Sequence, residues 1–133
     1  MEGMPTETRP LRLVADPSPE EDGRGFTDAT TIDHFLAVVG RYPTLSPQQQ
    51  LELARRVAGG DERAREQLIQ GSLRLVVAAA TDPRAPGTPL LEVIEEGAIG
   101  LIRAIDAFDP DQGTPFTPYA TWWIGRTIQS ASL

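Results

Sequence analysis

The chain has 133 residues and no cysteine, which excludes disulfide bonds, thiol catalysis and cysteine-ligated metal sites. Its 12 basic residues are all arginine and face 19 acidic ones, a net charge of −7, whereas an autonomous duplex-DNA-binding protein usually has the opposite balance. No apolar run approaches the roughly 20 residues that span a bilayer, and no signal peptide is recognisable, so we expect a cytoplasmic protein that does not enter the membrane.

The first 28 residues are rich in Pro, Glu, Asp and Gly and show little periodicity, a composition typical of a disordered acidic tail. An alternative is an acidic segment that competes with nucleic acid for a basic surface on a partner. We place the start of the folded domain at residue 29 and expect one domain over residues 29–133.

The first predicted helix covers Thr30 to Gly40, with Thr30 and Asp33 in the positions of a capping box. Its apolar stripe consists of Ile32, Phe35, Leu36 and Val39. The only histidine, His34, lies in this helix without other metal-ligating residues at suitable spacing, so we expect neither a metal ion nor catalysis there.

Two further helices are predicted before residue 81. Ser46 is an N-cap followed by a proline, with Gln49 at the third helical position, and this helix should end at Val57 or Ala58 before a pair of glycines. Asp61 caps the next helix, which ends in the nearly all-apolar run LRLVVAAA. Such an end requires burial among other helices.

The loop of residues 81–89 contains three prolines and a glycine and separates these helices from the C-terminal part of the domain. Thr88 and Pro89 predict the start of a fourth helix that runs to Phe108, because they place an N-cap hydroxyl before a proline. Thr117 and Pro118 repeat the device and predict a fifth helix. No segment has the pattern of a strand, so the predicted fold is a compact all-α bundle of about five helices.

Five of the eight aromatic residues fall between Phe108 and Arg126. Helical spacing places Tyr119, Trp122, Trp123 and Arg126 along one side of the fifth helix. These aromatic residues are either core anchors or a stacking platform for unpaired bases, which lie well on aromatic rings and on arginine.

Three glutamates, Glu92, Glu95 and Glu96, lie near the start of the fourth helix. Acid–base catalysis needs a nucleophile, a metal ion or a second carboxylate across a cleft, and none is visible in the sequence. A solvated helix N-terminus stabilised by the helix dipole is the simpler interpretation. We therefore expect a protein that is not an enzyme and that needs no cofactor.

The segment from Leu90 to Ile128, LLEVIEEGAIGLIRAIDAFDPDQGTPFTPYATWWIGRTI, resembles region 2 of bacterial RNA polymerase sigma factors of the sigma-70 family. The segment from Leu45 to Ala80 is similar to the part of primary-type sigma factors that leads into that region. The resemblance covers residues 30–133, and the run EEGAIGLIRAIDAFD followed by YATWWI is much more specific than a short motif.

The resemblance implies two binding surfaces. The acidic helix of family members docks on the coiled coil of the polymerase β′ subunit, and the matching positions here are Glu92, Glu95, Glu96 and Ala98. Family members also hold the unpaired non-template strand of the −10 promoter element and stack a flipped adenine on an aromatic ring. The matching positions here are Phe116, Tyr119, Trp122 and Trp123, with Tyr119 under the flipped base and Thr117 where the family has serine. Arg126, which helical spacing places beside them, completes the predicted strand-binding set.

The implied partners are core RNA polymerase, promoter DNA within the holoenzyme, and a regulator such as an anti-sigma factor. Family members have arginine or lysine at four positions that here are Asp111, Gln112, Pro115 and Gly125. Residues 86–133 consequently contain six acidic residues against two arginines, a net charge of −4. Each lost phosphate contact lowers affinity by up to about tenfold, so isolated promoter binding is not expected.

Two functions follow from this sequence. The first is a sigma factor domain that docks on polymerase and captures the unpaired −10 strand. The alternative is a sigma-like interaction protein that binds polymerase or a sigma regulator without opening promoters. Full-length family members continue beyond the position of Leu133, so the sequence corresponds either to a fragment or to a region 2 that acts alone.

Overall fold

The computed structural model of the protein describes residues 28–131, which form five α-helices. They are α1 (Asp28–Arg41), α2 (Pro47–Ala58), α3 (Glu62–Ala80), α4 (Leu90–Ala107) and α5 (Phe116–Ala131). No strand occurs in this range, so the predicted all-α fold is confirmed. Of the tail predicted over residues 1–28, all but Asp28 lies outside the described residues, and Asp28 is the first residue of α1.

Helix α1 packs through a narrower apolar stripe than predicted. Phe35 and Val39 are buried, at 1% and 4% exposure, but Leu36 is 42% exposed. The prediction was wrong for Leu36 because a residue adjacent to Phe35 is rotated by about 100° around the helix axis and faces away from the core. The helix ends where the Arg74 side chain donates hydrogen bonds to the carbonyl groups of Gly40 and Tyr42, at 3.5 and 3.2 Å.

Helices α2 and α3 begin as the sequence predicts. The Ser46 hydroxyl accepts a bond from the Gln49 amide at 3.1 Å, and the Gln49 side chain accepts one from the Ser46 amide at 2.7 Å. The chain turns between the two helices at Gly60, whose φ of +94° favours glycine. Asp61 then accepts bonds from the amides of Arg63 and Ala64, at 3.0 and 3.1 Å.

The predicted caps of α4 and α5 are wrong by one or two residues. Pro89 is the N-cap of α4 because its carbonyl accepts the bonds from the amides of Glu92 and Val93, so Thr88 lies one position too early to cap the helix. Helix α5 begins at Phe116, which is 3% exposed, so Thr117 is already inside the helix. Because the Phe116 ring is buried, the helix begins two residues before Pro118, the predicted first helical residue.

The core lies where α3, α4 and α5 meet, and α1 covers one side of it. Its largest fully buried apolar side chains are Phe35, Leu68, Val76, Leu101 and Ile124. Helices α4 and α5 approach so closely at Gly100 that an added Cβ atom would lie 2.9 Å from the Ile124 Cα and from the Trp123 carbonyl oxygen. Glycine is required at this crossing because it has no side chain.

Candidate functional site

The first half of α5 separates the predicted aromatic residues into a buried and a surface set. Phe116 is 3% exposed and packs edge-on against the buried Phe108, with ring centroids 5.2 Å apart. Tyr119 is half-buried and lies 5.3 Å from the same Phe108 ring. Phe116 therefore belongs to the core, and Phe108 connects it to Tyr119 at the surface.

The two tryptophans differ in exposure. Trp122 is 56% exposed, whereas Trp123 is half-buried and packs against the core. Their rings meet edge-on, with centroids 5.7 Å apart. The Arg126 guanidinium lies 5.2 Å from the centroid of the Trp122 ring, a cation–π geometry that follows from their spacing of four residues on one helix. We call Tyr119, Trp122 and Trp123 the aromatic surface.

A groove of about 250 Å³ runs between α4 and α5 beside the aromatic surface. Arg103 and Arg126 both line it, and they are the only two cations in residues 86–133. Within residues 28–131 neither forms an ion pair with a carboxylate, whereas Arg65 binds Asp106 at 3.0 Å. The remaining lining residues are Glu96, Ile99, Trp123, Thr127, Ser130 and Ala131.

Arg103 was not predicted to be a site residue from the sequence. It lies seven residues after Glu96 on α4, a spacing that returns to the same helix face, and its partner in the groove, Arg126, lies on the following helix. The sequence did contain a signal for Arg103, because it is one of only two arginines in the acidic segment of residues 86–133.

The three glutamates of α4 line a second groove, of about 340 Å³, between the loop of residues 81–89 and the C-terminal turn of α5. Val93 and Ile128 form the floor of this groove but are only 3% and 4% exposed. Ala98 is 4% exposed and does not share a surface with the glutamates. The acidic groove therefore contains Glu92, Glu95 and Glu96 but not the fourth predicted docking residue.

Thr117 is half-buried, and its hydroxyl is engaged within the protein. The Gln50 side-chain amide donates a hydrogen bond to it at 3.1 Å, and the Thr117 hydroxyl lies 3.3 Å from the Gln50 carbonyl oxygen, to which it donates. Gln50 is 8% exposed and was not predicted to have a role. The pair joins α2 to the first turn of α5.

The turn between α4 and α5 is where cations of the family pattern are replaced. Asp111, Gln112 and Pro115 are all exposed there, and the chain reverses at Gly113, which has a φ of +82°. Asp109 organises the turn, since its carboxylate accepts hydrogen bonds from the Asp111 amide and the Gln112 side chain. These bonds, that from the Asp111 amide first, hold the pKa of the Asp109 carboxyl below its ordinary value. The surface is therefore accessible but carries no positive charge of its own.

No group of three or more His, Asp or Glu side chains in residues 28–131 is arranged to hold a metal ion. None of the five helices is both long and apolar enough to cross a bilayer.

Comparisons with known proteins agree with the motifs. Residues 68–132 match the sequence model of the family described as "Sigma-70 region 2", and residues 31–63 match "Sigma-70 factor, region 1.2". The chain is 46% identical over 105 residues to RNA polymerase sigma factor RpoS of Coxiella burnetii, a match that covers 79% of this chain and 29% of that protein.

Two proteins named RNA polymerase sigma factor SigA are also similar. The chain is 42% identical over 97 residues to the protein of Clostridium acetobutylicum and 43% identical over 97 residues to that of a Bacillus species. Each match covers 73% of this chain and 26% of the relative. The chain thus spans between 26% and 29% of the length of these relatives.

Proposed function

We propose that this chain, which belongs to the sigma-70 family of bacterial RNA polymerase sigma factors, acts in transcription initiation as a non-enzymatic module. In this proposal it docks on core RNA polymerase and holds the unpaired −10 strand. The observation that carries the proposal is the aromatic surface: an exposed Trp122, beside Trp123 and Tyr119, on a helix that also presents Arg126.

Base stacking explains how the aromatic surface would bind. Each stacked base contributes about 1–3 kcal/mol irrespective of its identity, because every base has a π-face. Tyr119 is suited to a flipped base since Phe108 supports its ring from the core side. Trp122 offers a second, more exposed ring whose orientation is held by Trp123 and Arg126. Phe116, which is buried, acts through packing and not through contact with a base.

The strand's phosphates would follow the groove that contains Arg103 and Arg126. Two guanidinium groups that form no ion pair within residues 28–131, beside a stacking ring, suit a single strand, whose backbone passes close to its stacked bases. Because the turn of residues 109–115 supplies no cation, electrostatic attraction is weak. We therefore expect strand capture only when polymerase holds the DNA nearby.

Docking on polymerase is assigned to the acidic groove. Its glutamates would bind a basic surface, above a floor formed by the buried Val93 and Ile128. Charge reversal of Glu92 and Glu96 together should abolish binding to core polymerase. The matched control reverses Glu52 and Glu66, which are exposed on α2 and α3 and lie outside the acidic groove. Equal binding by both double variants would exclude the docking assignment.

The principal experiment is a fluorescence titration of the chain with core RNA polymerase, followed by a labelled single-stranded −10 oligonucleotide. Tyr119→Ala should bind polymerase normally and lose the oligonucleotide, whereas Tyr119→Phe retains the ring and should hold it. If Tyr119→Ala retains the oligonucleotide as well as the unaltered chain does, the stacking proposal is wrong.

A second candidate function is supported by the charge of the turn. Exposed Asp111 and Gln112, at positions where family members have cations, favour a protein that binds polymerase or a sigma regulator without opening promoters. An in vitro transcription assay separates the two functions. Promoter opening by the chain with core polymerase supports the first, and inhibition or silence with intact polymerase binding supports the second.

A further inference from the structure

Helix α2 is connected to the start of α5 by a partly buried polar contact. The Gln50 amide and the Thr117 hydroxyl face each other at 3.1 and 3.3 Å although they are 67 residues apart in the chain. Gln50 is 8% exposed, so solvent does not readily replace Thr117 as its partner. A buried amide without a partner costs more free energy than its hydrogen bond contributes, so this contact holds the two helices in one arrangement.

The contact is close to the aromatic surface. Thr117 is the second residue of α5 and lies two residues before Tyr119. On its other side Phe116 is anchored in the core against Phe108, which also touches Tyr119. The first turn of α5 is therefore held from two directions, by the aromatic core and by Gln50.

A second, weaker contact joins α2 to the same region. The Arg55 guanidinium lies 4.0 Å from the Asp111 carboxylate in the turn that precedes α5, and both side chains are exposed. Exposed pairs of this kind contribute little stability. The Gln50 contact is thus the specific one, and the Arg55 contact adds only electrostatic bias.

We infer that Gln50 is a positioning residue for strand capture: through Thr117 it sets the first turn of α5 and thereby the orientation of Tyr119 and Trp122. The inference rests on the proposed function, because it names the residue that prepares the aromatic surface for unpaired DNA. Gln50 is buried and acts through Thr117 without touching the strand. A rival explanation is that the Thr117 hydroxyl contacts DNA directly.

A double-mutant cycle separates these explanations. Gln50→Met replaces the amide with an apolar side chain of similar length, Thr117→Val replaces the hydroxyl with a methyl group, and the third variant combines them. Each single variant in complex with core polymerase should bind the −10 oligonucleotide about three- to tenfold more weakly, the range expected for loss of one hydrogen bond. The double variant should be no weaker than either single variant, since all three lack the same contact.

Further variants control for the chemistry of the substitutions. Gln48→Met makes the same substitution at an exposed position of α2 and should leave the affinity unchanged. Thr117→Ser restores the hydroxyl and should recover the affinity that Thr117→Val loses. Gln50→Asn keeps the amide but shortens its reach, so it provides a soluble substitute if Gln50→Met does not fold, and it should also weaken binding.

The outcomes distinguish this inference from the proposed function. A Gln50→Met variant that binds oligonucleotide normally while Thr117→Val does not, or strictly additive losses, would overturn the positioning role and leave strand capture intact. Failure of the unaltered chain to retain the oligonucleotide would overturn strand capture itself.

If the unaltered chain does not retain the oligonucleotide, NMR still tests whether Gln50 positions α5. The chain contains two tryptophans, so its ¹H–¹⁵N spectrum has two indole signals. Gln50→Met and Thr117→Val should displace them in the same way, and Gln48→Met should not. Indole signals that stay in place in both variants would overturn the positioning role.

Discussion

A single methyl group added at Gly100 should separate α4 from α5 and destabilise the domain. The added Cβ would lie 2.9 Å from the Ile124 Cα, the Trp123 carbonyl oxygen and the Thr127 hydroxyl. Two of these three atoms belong to the backbone and cannot rotate away, so the helices must move apart.

The magnitude follows from two opposing effects. Overpacking of a well-packed interior typically costs about 1–3 kcal/mol. Replacement of glycine by alanine inside a helix contributes about 1 kcal/mol of helix propensity in the other direction. We expect Gly100→Ala to lower the free energy of unfolding by up to about 2 kcal/mol net.

Gly125→Ala is the matched control for this substitution. Gly125 also lies inside a helix, α5, but nothing lies within 4 Å of an added Cβ there. This variant should therefore be more stable than the unaltered chain, by about 0.5–1 kcal/mol. Urea-induced unfolding followed by circular dichroism measures both variants. Equal stabilities of Gly100→Ala and Gly125→Ala would refute the claim that the glycine is required by the helix crossing.

Three other predictions concern stability and the aromatic surface. Trp122→Ala should reduce oligonucleotide binding but cost little stability, and Trp123→Ala should cost more, because only Trp123 packs against the core; denaturation and titration of both variants test this. Ser72 is 1% exposed, and its buried hydroxyl has no hydrogen-bond partner among the described residues, so Ser72→Ala should stabilise the domain by about 1 kcal/mol in thermal unfolding. The pKa of Asp61 is lowered by a hydrogen bond from the Ala64 amide and, to a smaller extent, by a hydrogen bond from the Arg56 side chain. The Asp61 cap should stabilise the fold at pH values above the ordinary carboxyl pKa and weaken as the pH falls below it. Asp61→Asn should lack this pH dependence. If the variant loses stability in acid to the same extent as the unaltered chain, the prediction is wrong.

Local interactions explain the parts of the fold that were predictable. The caps at Ser46 and Asp61 and the glycine turn after α2 depend on residues within about one helical turn, so their sequence patterns were sufficient. The caps predicted at Thr88 and Thr117 were wrong, and at Thr117 the reason is tertiary packing. At Thr117 the burial of the neighbouring Phe116 extended the helix, and a tertiary contact took up the hydroxyl.

The candidate site was predictable to a similar degree. Helical spacing placed Tyr119, Trp122 and Trp123 on one helix, and the family resemblance indicated single-stranded DNA as their ligand. The same spacing says nothing about which side of the helix meets the core. For this reason Phe116 and Ala98 were both assigned to surface roles from the sequence, although both are buried in the structure.

By itself the sequence determined the five helices, the turns that separate them, the family and the acidic character of the C-terminal half, because all of these depend on composition and on neighbours along the chain. The tertiary structure alone decided that Trp122 is exposed, that Arg103 joins Arg126 in one groove and that Gln50 holds Thr117. These features require residues from different helices to meet. The meeting is set by the close approach of α4 and α5 and by the packing of α2 against α5, which no local pattern encodes.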